Sequence, residues 1–100
     1  MSVRIGSATD VADGQMRVFD VAGRRVAVAN AGGHLYGFDD ACTHAGCSLA
    51  GGELDATTVT CPCHGSQFDV TSGAVLRGPA REAVRPIGVR IEGAELIADL

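Results

Sequence analysis

Six side chains able to bind a soft metal ion are crowded into two short boxes, Cys42-Thr43-His44-Ala45-Gly46-Cys47 and Cys61-Pro62-Cys63-His64-Gly65-Ser66. They include all four cysteines and two of the three histidines of the 100-residue chain. Scattered structural thiols would not cluster in this way. The Cys-x-His spacing of the first box and the Cys-x2-His spacing of the second let side chains of adjacent loops reach one metal centre. The 16 residues between His44 and Cys61 suffice for a hairpin that brings the boxes together, so that two thiolates and two imidazoles converge. Two other chemistries use the same residue types. A closed zinc tetrahedron takes four nitrogen and sulfur ligands, but the usual zinc spacings differ from this one. A pair of disulfides with incidental histidines would suit an exported chain, and no signal peptide precedes these boxes.

The elements that must position the boxes read as an all-β scaffold. The chain is 46% hydrophobic, 20% charged and only 4% aromatic, with no Trp, so its core is built from Val, Ile, Leu and Ala. Its length suits a single domain spanning residues 1–100 and leaves no room for a separate substrate lobe. Fourteen glycines and three prolines punctuate short runs of two-residue period, and no 3.6-period stretch is long enough for a helix. Strands are expected at Val3–Ile5, Gln15–Val21, Arg25–Ala29 and Leu35–Phe38. Ile87, Val89 and Ile91 alternate with Gly88, Arg90 and Glu92. A turn at Glu92-Gly93-Ala94-Glu95 then leads into Leu96–Leu100, predicting a hairpin with one buried face. Between Asp39 and Ala80 the alternation breaks, as if an insertion of about 40 residues interrupted a sandwich or barrel. Gly46, Gly51, Gly52 and Gly65 are expected at tight turns. His34 matches no ligand position, and Tyr36 and Phe38 point to one face as core residues.

Charge and pattern exclude several functions. Eight arginines stand against twelve acidic residues, a net charge of −4 that disfavours nucleic-acid binding. No run approaches the roughly 20 apolar residues needed to span a bilayer, which predicts a cytoplasmic protein without a membrane partner. No Ser-His-Asp arrangement or phosphate-cradling loop is present, so the chain is expected to carry rather than catalyse.

At its two boxes the sequence resembles the Rieske family, whose signature is C-x-H-x16/17-C-x2-H, including the Gly65-Ser66 that follows. The resemblance implies an antiparallel β-sandwich or barrel base with a small cluster-binding subdomain inserted at about residues 40–80. It implies one 2Fe-2S cluster per chain, with Cys42 and Cys61 on one iron and His44 and His64 on the other. Two ferric ions, two sulfides and two thiolates sum to zero charge, so an added electron meets less opposition than in a four-thiolate cluster. Some family members carry a disulfide at the places of Cys47 and Cys63, and a bridge is expected here. Ser66 is placed, by resemblance, to donate its hydroxyl to a bridging sulfide. Phe68 stands where the high-potential proteins of cytochrome bc complexes have a Tyr that contacts a ligand sulfur, which implies a potential below the top of the family range. Gly78-Pro79-Ala80 resembles the third loop that packs over the cluster, stiffened by Pro79. The implied function is that of a monomeric, soluble one-electron carrier between a reductase and the terminal oxygenase of a non-haem iron, ring-hydroxylating system. Two other roles remain: an accessory subunit of another oxidoreductase, such as a nitrite-reductase-like assembly, or a redox-sensing module.

Overall fold

A computed structural model describes residues 1–100. Its strands are β1 (Ser2–Ser7), β2 (Met16–Val21), β3 (Arg24–Ala31), β4 (His34–Asp39), β5 (Glu53–Asp55), β6 (Thr58–Thr60), β7 (Gln67–Asp69), β8 (Val75–Arg77), β9 (Pro86–Ile87), β10 (Val89–Glu92) and β11 (Glu95–Asp99). They form three sheets in the orders β1-β11-β10, β2-β3-β4-β9 and β5-β6-β7-β8, with antiparallel pairing throughout.

Strand β3 explains how these sheets stack. Val26, Ala27, Val28 and Ala29 are all fully buried, which a strand achieves only when both its faces are covered. Ala27 and Ala29 join Phe38, Leu49, Val59 and Phe68 in one core. Val26 and Val28 join Val11, Ile87, Leu96 and Ala98 in a second. The central sheet is therefore packed on one side by the terminal sheet and on the other by the segment that carries the two boxes. Phe38 is buried and Tyr36 packs partly buried against the same core, as their alternation predicts, while His34 is exposed at the start of β4.

Tight turns set the register. Val21 pairs with Arg24 across Ala22-Gly23, whose φ angles of 51° and 81° are both positive. Ala31 pairs with His34 across Gly32-Gly33, with φ of 65° and 89°. Two successive positive φ values are what a two-residue hairpin loop with native twist requires.

The first four strands lie where the alternation places them, to within two residues at each end. The C-terminal hairpin forms between β10 and β11, but one expectation about it fails. The run Ile87–Ile91 is not one strand: it breaks at Gly88, where Ile87 still pairs with Gly37 of the central sheet while Val89–Glu92 pairs with β11. Ile91, next to the hairpin turn of this edge strand, is 43% exposed, whereas Val89 on the same face packs partly buried against the core that holds Leu96 and Ala98 of β11. Ile97, on the opposite face, is flanked in register by Arg4 and Arg90, whose aliphatic stems can cover it. The segment from Asp39 to Ala80, where the alternation breaks, contains the sheet β5-β6-β7-β8 and one turn of 3-10 helix at Leu49–Gly51. The expected hairpin between the boxes is β5–β6. No helix is long and apolar enough to cross a membrane.

An exposed polar cluster ties the two ends of the chain. Asp99 Oδ1 accepts hydrogen bonds from Ser2 Oγ and Arg90 Nη1, both at 2.7 Å, and Arg90 Nε donates to Glu92 Oε2 at 2.6 Å. The hydrogen bond from Ser2, followed by that from Arg90, lowers the Asp99 pKa. A carboxylate with a lowered folded-state pKa contributes stability above its unfolded pKa and loses it as pH falls through the folded value. Asp99→Asn is therefore expected to reduce the acid-induced fall in melting temperature slightly, the effect being screened at this exposed site. Thermal melts of both proteins from neutral to acid pH check this.

Candidate metal centre

The two boxes fold into loops of one design. In the first, the Cys42 N–H donates to the Cys47 carbonyl (2.9 Å) and the Gly46 N–H to the Cys42 carbonyl (2.7 Å). In the second, the Cys61 N–H donates to the Ser66 carbonyl (2.8 Å) and the Gly65 N–H to the Cys61 carbonyl (3.2 Å). Each loop thus closes on the glycine four residues beyond its first cysteine, and these glycines have φ of 74° and 78°. That left-handed conformation is the reason for Gly46 and Gly65. Gly51 and Gly52 also lie in a tight turn, their N–H groups donating to the Ser48 (3.2 Å) and Leu49 (3.0 Å) carbonyls, but in a different conformation. Neither has a positive φ, and a Cβ at Gly52 would collide with the Thr60 carbonyl oxygen, so Gly52 is needed for close approach of two backbones.

Matching loop positions explain the unequal spacings. Two residues beyond the leading cysteine the first loop has His44 and the second has Cys63; one residue further, the second has His64. Five residues beyond it stand Cys47 and Ser66. Cys47 and Cys63 are joined in a disulfide with a Cα–Cα separation of 6.5 Å, which cross-links the loops at unlike positions. Cys42 and Cys61 are free thiols, each 3% exposed, so the two-disulfide alternative does not hold.

The thiols and imidazoles form an inner and an outer layer. Cys42 and Cys61 lie in the core that contains Phe38, Leu49, Val59 and Phe68. His44 and His64 are exposed, with ring centroids 5.1 Å apart and planes at 84°. A third loop is tied to both boxes: the Ala80 N–H donates to Ser66 Oγ (3.0 Å), and Thr43 Oγ1 donates to the Glu82 carbonyl (2.7 Å). Pro79 and Gly78 on this loop are exposed and Ala80 is buried. Pro79 lines an open concavity with Thr43, His44, Arg81 and Glu82.

Ser66 is fully buried. Its oxygen accepts from Ala80, and its own proton has no acceptor in the protein. A buried donor left unmade costs roughly 1–3 kcal/mol, so the hydroxyl calls for an acceptor that the polypeptide does not supply. Phe68, fully buried in the same core as both thiols, offers no donor. Sulfurs of Cys47, Cys61 and Cys63 lie within 4.8 Å of one another, but two of the three are bonded together, so they do not form a three-thiolate site for a single ion. Two separate thiolates, two imidazoles and one orphan donor suit a group with two metal ions and its own anionic acceptors. Bridging sulfides have that chemistry.

Two supporting residues carried no signal in the sequence. Asp40 is 1% exposed; its Oδ1 accepts from the Ala50 N–H (2.9 Å), its carbonyl from the Leu49 N–H (2.8 Å), and its Oδ2 lies 3.5 Å from Arg25 Nη2. It closes the base of the first loop, yet its neighbour Asp39 is chemically identical, and nothing in the sequence says which is buried. Thr43 reads as a loop residue until its bond to Glu82 is seen.

Comparison with known proteins gives a consistent set of relatives. The family model described as Rieske [2Fe-2S] domain matches residues 1–88. The ferredoxin component of biphenyl 2,3-dioxygenase from Rhodococcus jostii (strain RHA1) is 33% identical over 97 residues, covering 97% of this chain and 91% of that protein. Among solved structures, the ferredoxin of carbazole 1,9a-dioxygenase from Nocardioides aromaticivorans IC177 is similar with a TM-score of 0.91 and 31% identity, over 98% of this chain and 96% of that one. A chain in the complex of reduced oxygenase and oxidized ferredoxin in carbazole 1,9a-dioxygenase is similar with a TM-score of 0.91 and 28% identity, over 97% of this chain and 91% of that one.

Proposed function

The chain belongs to the Rieske [2Fe-2S] domain family, and from that membership we infer that it is a one-electron carrier. It takes electrons from a reductase and delivers them to the terminal oxygenase of a non-haem iron, ring-hydroxylating system, without catalytic turnover of its own. The similarity to dioxygenase ferredoxin components supports this, as does the similarity to a chain in a ferredoxin–oxygenase complex. The observation that carries most weight is the layering of the donor set, with two free thiols 3% exposed beneath two exposed imidazoles.

In this reading Cys42 and Cys61 hold one iron of a 2Fe-2S cluster and His44 and His64 hold the other. When bound, the cluster supplies a one-electron couple in the range of roughly −150 to +300 mV. The polypeptide does the rest. Burial of the two cysteines keeps water from the sulfur side, and the exposed ring edges give a partner a short approach. Neutral imidazoles in place of two thiolates keep the oxidised centre uncharged. The disulfide and the bonds from Ala80 and Thr43 fix three loops around it. Partners that meet such a tip in turn need only small interfaces, below about 1,200 Å². The proposal treats residues 1–100 as a single domain and includes a cytoplasmic location and a monomeric carrier.

Ser66 gives this proposal a graded test. If its free hydroxyl proton serves a sulfide, it favours the reduced and more negative state, so Ser66→Ala lowers the midpoint potential. A fall on the order of 60 mV is expected, equivalent to about a tenfold change in a one-electron equilibrium. Protein-film voltammetry reads the shift directly. Phe68 supplies no second donor, in keeping with a potential below the top of the range.

The carrier assignment itself is tested by anaerobic coulometric titration of the intact protein. One electron per chain should be taken up reversibly and handed on to a terminal oxygenase. Uptake of two electrons, or co-purification with a large catalytic subunit, would point instead to a redox-active disulfide or an accessory subunit.

A further inference from the structure

Three of the four sulfur atoms lie together. Cys47, Cys61 and Cys63 have their Sγ atoms within 4.8 Å of one another; two are joined in the disulfide and the third is a free, buried thiol. Cys42 is equally free and buried but is not in this group. The shared loop design would make the two leading cysteines equivalent, and the cross-link breaks that equivalence. Cys63 stands two residues beyond Cys61, where the first loop has His44 beyond Cys42.

We propose that Cys61, Cys47 and Cys63 form a thiol–disulfide exchange site, silent while Cys61 is bound to iron and active once that iron is lost. The proposal rests on the reading of Cys61 as an iron ligand. An iron-bound sulfur has its electron pair committed. Without iron, Cys61 as thiolate donates a pair to Cys47 Sγ, and a Cys47–Cys61 bond forms as the Cys47–Cys63 bond breaks. That bond's electron pair leaves on Cys63 Sγ, which takes up a proton in place of the one Cys61 gave up. One disulfide forms and one breaks, so no oxidant or reductant is consumed.

Two features set the direction. Cys63 is exposed whereas Cys47 is partly buried, so the thiolate released at Cys63 is the better solvated leaving group. Attack on Cys63 instead would close a bridge across Pro62 alone, a tight ring with little freedom to reach disulfide geometry. The separation of the sulfurs is one that a side-chain rotamer change can close. The outcome is a chain that records loss of its cluster. The new bridge consumes one ligand thiol, and a cluster is not rebuilt until a dithiol reduces that bridge.

The test uses the full chain. Iron and acid-labile sulfide are measured first on the isolated protein, which decides the ligand reading separately. The metal is then removed anaerobically with a chelator, free thiols are alkylated with iodoacetamide, and bridges are mapped by peptide mass spectrometry. The metal-loaded protein should show Cys47–Cys63, and the stripped protein predominantly Cys47–Cys61 with Cys42 and Cys63 alkylated. The stripped protein should also regain its colour with iron and sulfide only after treatment with dithiothreitol. Cys61→Ser should keep Cys47–Cys63 under the same conditions. An unchanged Cys47–Cys63 bridge with Cys42 and Cys61 both alkylated overturns the proposal, as does any bridge that includes Cys42 or that joins Cys61 to Cys63. Absence of iron and sulfide from the isolated protein would sink the ligand assignment alone, since the mapping still decides whether Cys61 exchanges.

Discussion

His64→Ala is expected to abolish the Rieske-type visible absorption and paramagnetic signal and to reduce electron delivery to an oxygenase by more than about 100-fold. Outer residues that only orient a metal ligand typically cost 10–100-fold, and a direct ligand should exceed them. The position suits such a test because the side chain is exposed and lies outside both hydrophobic cores. Its removal leaves the strands in place. Far-ultraviolet circular dichroism of the variant should therefore match that of the wild type while the colour is lost. Retention of a normal spectrum would show that His64 holds no iron. His44, one loop away and 5.1 Å distant by ring centroid, should behave in the same way.

The double variant Cys47→Ser/Cys63→Ser carries the second large effect, on stability. The bridge spans a sequence separation of 16 residues, and the chain-entropy relation for a loop of that length gives about 3 kcal/mol at room temperature. In a domain of this size each kcal/mol moves the melting temperature by roughly 4–8 °C, so a fall on the order of 15 °C is expected. Differential scanning calorimetry under anaerobic conditions gives the number, and the temperature at which the visible colour bleaches should fall with it. A melting temperature within a few degrees of wild type would mean that the hydrogen bonds from Ala80 and Thr43 already hold the loops without the covalent link.

The parts of the structure visible in the sequence are those governed by residue type or by a long period. Ligation needs sulfur and nitrogen donors, so the two boxes stand out whatever surrounds them. Strands of six to eight residues, such as β2, β3 and β4, show their alternation or their doubly buried run and are bounded by glycine turns. Strands β5 to β8 have three residues each, too few for a two-residue period to emerge from the Gly, Thr and Ser around them. Ile91 misled because alternation marks a face without saying how far the cover extends along it: Val89 on the same edge strand packs against the core, while Ile91 beyond it is left exposed. Asp40 shows a different limit: its role comes from burial beneath the first loop and from the Ala50 amide it accepts, both products of tertiary packing. Gly52 is similar, since only the fold shows that Thr60 passes close by.

Metal and sulfide analysis of the purified chain tests most directly the claim that Cys42, Cys61, His44 and His64 together hold a two-iron centre. About two irons and two acid-labile sulfides per chain are expected, with a paramagnetic signal after reduction by dithionite. One zinc per chain with no sulfide would contradict it.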